Sequence, residues 1–362
     1  MLVIVKIGTS SLTDARGDID QNAIDKLCSE VSDLRGSGHS AVIITSGAIT
    51  AGLTALDKTR KRPHDTAMLQ AAAAVGQSRL LRRYDAALEP FELIAGQLLL
   101  SPNSFFDRKQ YLNARNALEH LLALGVVPVV NENDAVADED IRFGDNDRIA
   151  ALVAHALRAD LLVMLTDTAG VLTSDPALDA SASLVEEIVE IDQALLQATD
   201  SAGTRGSGGM SAKLAAARMA AHSGVRTIIA DATRPSVLQD AANAVAGVGT
   251  VIHARPRSLS ARKLWIAFAV PSAGRIVVDE GARVALTDGH RSLLPAGVRG
   301  VEGDFKTESA VEVVDEAGNA FAKGFCRYSA TQLKENAGRR TSDVPSELPN
   351  EVIHRDDLVI LA

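Results

Sequence analysis

The most informative residues form a glycine-containing loop that leads into an Ala-rich helical pattern. The residues of this segment are Ser207, Gly208, Gly209, Met210, Ser211, Ala212 and Lys213. Unpaired backbone N–H groups at a helix N-terminus attract an anion, and glycine lets the backbone approach that anion closely. Lys213 adds a positive charge at the same place. The segment therefore predicts a binding site for a phosphate group.

A second lysine with a glycine loop lies near the N-terminus. Lys6 is part of an apolar strand pattern, and Gly8, Thr9 and Ser10 follow it. A lysine in apolar surroundings is costly without a partner, so we interpret Lys6 as facing a phosphate. The alternative is a strand-end lysine that reaches water. Two such loops in one chain predict a polyphosphate held between Lys6 and Lys213.

Two clusters of carboxyl and amide side chains lie close together in the middle of the chain. They consist of Asn131, Glu132, Asn133 and Asp134, and of Asp145, Asn146 and Asp147. Their closeness predicts one polar pocket that recognises an ammonium group or a polar small molecule. Carboxylates near two lysines can also orient them and hold Mg²⁺, which prefers carboxylate and phosphate oxygens. The alternative for both clusters is the capping of turns and helices.

Polar residues also follow two other strand patterns. Ser46 and Gly47 can clasp a carboxylate or phosphate, or form an ordinary turn or helix cap. Thr166 and Asp167 fit either a nucleotide contact or an ordinary strand exit. The eight histidines have no metal-binding spacing, and the P-loop, G-x-G-x-x-G and G-x-S-x-G motifs do not occur. The sequence therefore assigns no role to a histidine.

Apolar strand patterns alternate with helical patterns up to about residue 255. Strands are predicted at Leu2–Ile7, Ala41–Thr45, Glu92–Leu99, Val126–Asn131, Leu161–Thr166 and Thr227–Ala230. Helices are predicted at Asn22–Arg35, Thr66–Ala87, Asn113–Leu124, Asn146–Leu157, Ser211–His222 and Ser236–Val245. This order predicts an α/β fold with a mostly parallel sheet sandwiched by helices. Ligands in such folds bind beyond the carboxyl ends of the strands, where the polar residues lie.

The pattern changes after residue 255. We predict a catalytic domain over residues 1–255, a linker over 256–273 and a small all-β barrel over 274–362. Short strands of this barrel are predicted at Arg275–Val278, Arg283–Ala285, Val311–Val314, Ala320–Phe325 and Leu358–Leu361. The polar segment Asn336–Asn350 is predicted to be a loop.

The composition restricts the class of protein. The 362 residues are 46% hydrophobic and 23% charged, as in globular proteins, and the formal net charge of −9 argues against general nucleic-acid or anionic-membrane binding. No 18-residue apolar run without charges occurs, so we predict no membrane span. Cys28 and Cys326 are predicted to be unpaired thiols in a reducing cytoplasm.

Eight segments resemble, in order and spacing, the glutamate 5-kinases of the amino acid kinase family. They read VKIGTS, TSGAITAG, AAVGQ, LNAR, NENDAVA, GDND, LTDTAGVLTSDP and SGGMSAK. The part from Gly274 to Val352 resembles a PUA domain, so the resemblance covers nearly the whole chain. The lysine loops alone would also fit aspartokinase, acetylglutamate kinase or uridylate kinase, whereas NENDAVA followed by GDND is specific to glutamate 5-kinases.

The resemblance implies phosphorylation of the γ-carboxylate of L-glutamate by ATP with Mg²⁺, the first step of proline biosynthesis. It implies catalytic roles for Lys6, Lys213 and Asp147, with Asp147 orienting the lysines. The implied glutamate-binding residues are Ser46, Asp134 and Asn146, with Asn131 and Asp145 as neighbours. The implied ATP-binding residues are Lys6, Thr166, Asp167, Ser207, Gly208, Gly209, Met210, Ser211, Ala212 and Lys213. Ser207 and Ala212 replace threonines that are common in the family, and Ala212 loses a hydroxyl.

The resemblance also implies partners. They are proline as a feedback inhibitor and further copies of the chain in a homo-oligomer. Because the acyl phosphate product is labile, we also expect a glutamate 5-phosphate reductase that takes it over. Alternative acceptors are aspartate, N-acetylglutamate and UMP. An alternative from another class is an RNA-binding regulator, but residues 260–362 carry 13 Lys and Arg against 15 Asp and Glu. Nucleic-acid modules are usually basic, so this reading is disfavoured.

Overall fold

The computed structural model describes residues 1–56, 65–105, 107–136, 146–174, 179, 181–191, 195, 209–255, 259–268, 270 and 272–361. Contacts divide the chain into two compact units, Met1–Ser258 and Leu259–Ala362. Each unit has its own sheet. Cys28 and Cys326 are unpaired and lie buried in the cores of different units. None of the helices in these ranges is long and apolar enough to cross a membrane.

The first unit is built on a mostly parallel sheet, as predicted. Its strands are β1 (Leu2–Ile7), β2 (Ser40–Ile44), β3 (Ala95–Leu100), β4 (Val127–Glu132), β5 (Leu161–Thr166), β6 (Glu187–Ile188), β7 (Arg226–Asp231) and β8 (Thr250–Ile252). The strand order is β3-β4-β2-β1-β5-β7-β8-β6. Neighbouring strands are parallel, apart from the antiparallel pair β7 and β8.

Helices cover both faces of this sheet. Those described are α1 (Thr9–Leu12), α2 (Gln21–Gly36), α3 (Ala48–Leu56), α4 (Thr66–Leu88), α5 (Arg108–Ala123), α6 (Asn146–Ala156), α7 (Met210–His222) and α8 (Val237–Ala242). Helix α2 packs against α4 and α8, and α6 packs against α5 and α7. Side chains alternate along β1, so Val3 and Val5 enter the core below α2 while Lys6 points to the face of α6.

Helices α3 and α4 approach each other closely through two glycines. A Cβ atom added to Gly52 would lie 1.8 Å from the carbonyl oxygen of Ala72, and one added to Gly76 would lie 1.7 Å from that of Ala48. Any side chain at either position would push the helices apart. Both glycines belong to the motifs TSGAITAG and AAVGQ, so these motifs include a packing requirement that fixes α4 beside the end of β2.

The second unit contains a five-stranded sheet with the order β10-β9-β11-β12-β13. Its strands are β9 (Gly274–Val278), β10 (Val298–Gly303), β11 (Ser309–Val314), β12 (Ala320–Cys326) and β13 (Leu358–Ile360). Its helices are α9 (Ala261–Phe268), α10 (Glu280–Thr287) and α11 (Ala330–Asn336). Helix α9 lies in the segment for which we predicted a linker, and it packs against β12 and β13.

The predicted strand Arg283–Ala285 is wrong, because these residues belong to α10. The side chain of Asp279 caps this helix by accepting a hydrogen bond of 2.8 Å from the Ala282 N–H. Arg283 and Glu280 form an ion pair one turn apart. A capped start and a pair at this spacing favour a helix over the short β-branched pattern.

Candidate functional site

Strands β4, β2, β1 and β5 are neighbours in the sheet, so their carboxyl ends meet at one edge. The polar residues that follow or end these strands are brought together there. They are Lys6 on β1, Ser46 after β2, Asn131 and Asp134 at the end of β4, and Thr166 on β5. All of these side chains are buried. This edge is the place where ligands bind in open α/β sheets.

Two lysines from distant parts of the chain share one carboxylate at this edge. Lys6 Nζ lies 2.5 Å from Asp147 Oδ1, and Lys213 Nζ lies 3.6 Å from Asp147 Oδ2. Asp147 lies in the first turn of α6, and Lys213 lies in the first turn of α7. The three side chains are between 4% and 8% exposed. The group carries a net positive charge in a buried place, which suits it to attract a multiply charged anion.

Burial and the neighbouring carboxylates act in opposite directions on the pKa of Lys213. Desolvation lowers the pKa of Lys213 below its usual value of 10.5, and the carboxylate of Asp147 opposes this effect. The nearby charge of Lys6 lowers this pKa further, while Asp167 raises it. Asp147 therefore counteracts both the desolvation of Lys213 and its repulsion by the neighbouring Lys6.

The start of α7 contains Lys213 and part of the glycine loop for which we predicted an anion site. Its N-cap residue, Gly209, provides no side-chain hydrogen bond to the first turn. Among the described residues outside its own chain neighbours, none lies within 4 Å of a Cβ atom added at Gly209. Met210, Ser211 and Ala212 form the first turn before Lys213. Ser207 and Gly208, predicted to belong to this site, lie outside the described residues.

A hydrogen-bond network joins the residues that the resemblance assigns to glutamate. Asn146 Nδ2 donates to Ser46 Oγ over 3.2 Å. Asn146 Oδ1 accepts from the backbone N–H of Glu132 over 3.0 Å. Gly47 has a φ of +98°, which favours glycine and turns the chain directly after Ser46. Helix α6 and the ends of β2 and β4 are thus fixed to each other by side chains of the site.

The remaining predicted glutamate-binding residue lies close to this network. Asp134 begins a short 3₁₀ turn, Asp134–Val136, directly after β4, and it is buried. Asn131 is also buried, and its Oδ1 accepts from the N–H of Glu132 over 2.9 Å. The other predicted neighbour, Asp145, lies outside the described residues.

Sequence reasoning assigned no role to Gln77, which the structure places in the same network. Gln77 lies on α4 and is buried. Its Nε2 donates to the carbonyl oxygen of Glu132 over 3.0 Å, and its Oε1 accepts from Asn131 Nδ2 over 3.1 Å. The only sequence signal was its place at the end of the motif AAVGQ.

Two of the residues predicted to contact the nucleotide, Thr166 and Asp167, border a cavity of about 410 Å³. Thr166 Oγ1 donates to Asp167 Oδ1 over 3.1 Å, and both residues line this cavity. Ser10 after β1 and Asp231 at the end of β7 contribute further polar groups to its wall. The cavity lies at the carboxyl ends of β1, β5 and β7.

The described residues do not by themselves form a metal site. Within the ranges given above, no group of three or more His, Cys, Asp or Glu side chains is placed to hold a metal ion. Each carboxylate oxygen of Asp147 already faces a lysine ammonium group.

Family models match both units of the chain. Residues 1–231 match the model of the amino acid kinase family, and residues 274–348 match the PUA domain. A solved structure of carbamate kinase from Giardia lamblia bound to AMP-PNP has a TM-score of 0.51 and 16% identity. It covers 70% of this chain and 98% of its own chain. This likeness shows the fold alone, and it agrees with the α/β architecture.

Curated relatives match over almost the whole length. The glutamate 5-kinase of Streptomyces coelicolor is 43% identical, with 99% of this chain and 96% of the relative covered. That of Gloeobacter violaceus is also 43% identical, with 99% of both chains covered. The glutamate 5-kinase of Myxococcus xanthus is 42% identical over 99% of this chain. The chain therefore belongs to the amino acid kinase family and, within it, to the glutamate 5-kinases.

Proposed function

We propose that this chain transfers the γ-phosphoryl group of ATP to the γ-carboxylate of L-glutamate, which gives L-glutamate 5-phosphate and ADP and begins proline biosynthesis. The observation that carries the proposal is the group of Lys6, Asp147 and Lys213 beside the Asn146–Ser46 pair. The names of the relatives support glutamate as the acceptor and do not favour aspartate, N-acetylglutamate or UMP.

The chemistry requires charge neutralisation rather than a base. A γ-carboxylate is ionised near pH 7, so it can attack the phosphorus atom without losing a proton. The obstacle is that two anions must meet in line. Lys6 and Lys213 would bracket the transferred phosphoryl group, and Asp147 would hold both ammonium groups in place. Preorganised positive groups of this kind stabilise the charge that develops in the transition state.

Glutamate would bind next to this group of charges. Ser46 and Asp134 follow the ends of β2 and β4, and Asn146 begins α6, directly before Asp147. The hydroxyl and amide of Ser46 and Asn146 suit a carboxylate. The buried carboxylate of Asp134 suits the α-ammonium group. We propose these three residues as the substrate-binding set.

ATP would lie with its phosphates at the start of α7. The N–H groups of Gly209, Met210, Ser211 and Ala212 suit phosphate oxygens, and Lys213 adds charge. Thr166 and Asp167 would contact the rest of the nucleotide. Ser207 and Gly208 stay predictions for the same loop. The resemblance implies Mg²⁺, which would enter as part of the MgATP complex, coordinated by phosphate oxygens.

Several partners stay predictions. They are proline as a feedback inhibitor, further copies of the chain in a homo-oligomer, and a glutamate 5-phosphate reductase. The cytoplasmic location also stays a prediction. An RNA-binding role of the second unit also stays a prediction, which the excess of acidic over basic residues in 260–362 disfavours. A shift assay with total RNA would test it, because RNA binding through phosphates weakens steeply as salt rises.

The deciding experiment measures ADP release with ATP and Mg²⁺ in the presence of L-glutamate, L-aspartate, N-acetylglutamate or UMP, each in parallel. Hydroxylamine is added to trap an acyl phosphate as a hydroxamate. We expect turnover and hydroxamate only with L-glutamate. Turnover with another acceptor would require a new assignment of Ser46, Asp134 and Asn146, and no turnover with any acceptor would contradict the proposal.

A further inference from the structure

Gln77 holds the end of β4 with both atoms of its side-chain amide. It is 6% exposed and carries no charge. Its two partners are the carbonyl oxygen of Glu132 and Nδ2 of Asn131, at 3.0 and 3.1 Å. Buried amides are hydrogen-bonded as a rule, but here the partners belong to the loop that carries the substrate-binding residues. Gln77 thus connects α4 to the candidate site without entering it.

The backbone of Glu132 decides which way the first two amides point. A carbonyl oxygen can only accept, so the atom of Gln77 that faces Glu132 must be the donor Nε2. The acceptor Oε1 of Gln77 then faces Asn131, which must present its donor Nδ2. The remaining Oδ1 of Asn131 accepts from the N–H of Glu132. Both orientations follow from groups whose polarity cannot change.

The same backbone group decides the orientation of the third amide. The N–H of Glu132 can only donate, so Asn146 must face it with Oδ1. The donor Nδ2 of Asn146 therefore faces Ser46 Oγ, which accepts this hydrogen bond. The hydroxyl of Ser46 keeps its own hydrogen for an acceptor other than Asn146. A carboxylate is such an acceptor.

We propose that Gln77 is a positioning residue for the acidic substrate. Gln77 holds the carbonyl group of Glu132 and so keeps the N–H group of this residue where it orients the amide of Asn146. Through Asn146, the hydroxyl hydrogen of Ser46 is directed to a carboxylate of the substrate. This inference rests on the proposed function, in which L-glutamate supplies that carboxylate. If Asn146 turned over, Ser46 would donate to Asn146 and present only lone pairs to the substrate.

The test compares wild-type protein with Gln77→Met, which keeps the length of the side chain and removes both hydrogen bonds. We expect the KM for L-glutamate to rise about tenfold, as for the loss of one or two buried hydrogen bonds, while the KM for ATP stays within about twofold. In a Ser46→Ala background, Gln77→Met should have a much smaller effect on the KM for L-glutamate, because both changes act on the same contact.

Tyr84→Phe is the matched control on the same helix. Tyr84 is fully buried, and its hydroxyl bonds to Thr45 Oγ1 at 2.7 Å. Its loss should lower the unfolding temperature without changing the KM for L-glutamate. Gln77→Leu serves as a second variant, because its apolar side chain also removes both hydrogen bonds and introduces no charge. We expect the same rise in the KM for L-glutamate with this variant.

The results for the variants decide whether Gln77 positions the substrate. An unchanged KM for L-glutamate in a folded Gln77 variant would overturn it, as would equal effects of Gln77→Met and Tyr84→Phe or additive effects with Ser46→Ala. If neither Gln77 variant folds, the residue is structural and the inference is wrong. Failure of the wild-type protein to use L-glutamate would overturn the proposed function as well, whereas normal wild-type turnover with normal variants overturns the positioning role alone.

Discussion

Lys6 Nζ and Asp147 Oδ1 form an ion pair of 2.5 Å whose two side chains are each 4% exposed. The pair joins a central strand to the first turn of α6. A buried pair of this kind is worth little by itself, because the loss of hydration offsets much of the attraction. The pair instead holds Asp147 in a position where its other oxygen faces the ammonium group of Lys213.

Asp147→Asn should remove this shared counter-charge while keeping the shape of the side chain. We expect kcat to fall by at least about 10², because both lysines lose the group that orients them. Breaking a buried ion pair should also lower the free energy of unfolding by about 3–5 kcal/mol. Steady-state kinetics and chemical denaturation measure the two effects.

The control for Asp147→Asn is Asp240→Asn. Asp240 pairs with Arg234 at 2.9 Å, and both side chains are about one-third exposed. Surface pairs contribute little, so we expect normal turnover and almost unchanged stability. A kcat of Asp147→Asn within about fivefold of the wild type would show that the lysines are oriented by other groups.

Lys6→Ala and Lys213→Ala should each lower turnover by ~10²–10³, like the removal of one preorganised donor to the transition state. Lys323→Ala is the control, since Lys323 is a buried lysine of the second unit that donates to the carbonyl of Val270. Lys323→Ala should lower stability and leave turnover within about twofold. Near-normal kcat in either site variant, measured at saturating substrate, would remove that lysine from the mechanism.

The depressed pKa of Lys213 predicts opposite effects of high pH on activity and on stability. As the pH rises through the folded pKa, which lies below 10.5, Lys213 loses its charge and kcat should fall. Between the folded pKa and about 10.5, the unfolded chain binds the proton of Lys213 more tightly than the folded chain does. The contribution of Lys213 to the free energy of unfolding therefore rises with pH up to about 10.5.

Lys213→Arg separates these effects, because an arginine stays charged throughout this pH range. Its remaining activity should show no alkaline decrease in this window, and its unfolding free energy should lose the corresponding rise. The measurements are kcat profiles and denaturation curves between pH 8 and about 10.5. The same alkaline decrease in Lys213→Arg would assign it to another group.

The prediction of the fold succeeded where the pattern was long and failed where it was short. The run Leu2–Ile7 is a strand buried on both faces, and its continuous apolar sequence predicts this well. Strands β6 and β8 have two and three residues, which is too short for a periodicity to be visible. In α10, the cap at Asp279 outweighed the β-branched residue Val284.

The functional site could also be predicted only in part. Polar residues directly after apolar strands predict a functional site at one edge of the sheet, since parallel strands bring their carboxyl ends together there. No periodicity identifies Gln77, because glutamine is a common residue on helix surfaces and its partners lie more than fifty positions away. Such a contact depends on the close packing of α3 and α4, which only the structure displays.

Gly76→Ala should test that packing. The added Cβ would lie 1.7 Å from the carbonyl oxygen of Ala48, which is a collision with backbone and not with a flexible side chain. We expect the free energy of unfolding to fall by about 1–3 kcal/mol or more. The KM for L-glutamate should also rise, because α4 carries Gln77 and would shift away from β4.

Gly36→Ala is the control for Gly76→Ala. Gly36 ends α2, and a Cβ atom there would have no neighbour within 4 Å. Alanine is the better helix former, so stability should stay equal or rise slightly. Equal stability of Gly76→Ala and the wild type in urea denaturation would mean that the two helices tolerate separation.

The position of Lys6 in the sheet has a consequence for dynamics. Strand β1 is paired with β2 on one side and β5 on the other, and Lys6 lies opposite Ile44 and Met164. Its amide hydrogen should therefore exchange with deuterated solvent only when the whole unit unfolds. The amide of Lys213, which bonds to Gly209 in the first turn of α7 over 3.2 Å, should exchange through local fraying. The two ammonium groups that meet at Asp147 would thus lie on segments of unequal opening free energy, and the first turn of α7 would open long before β1.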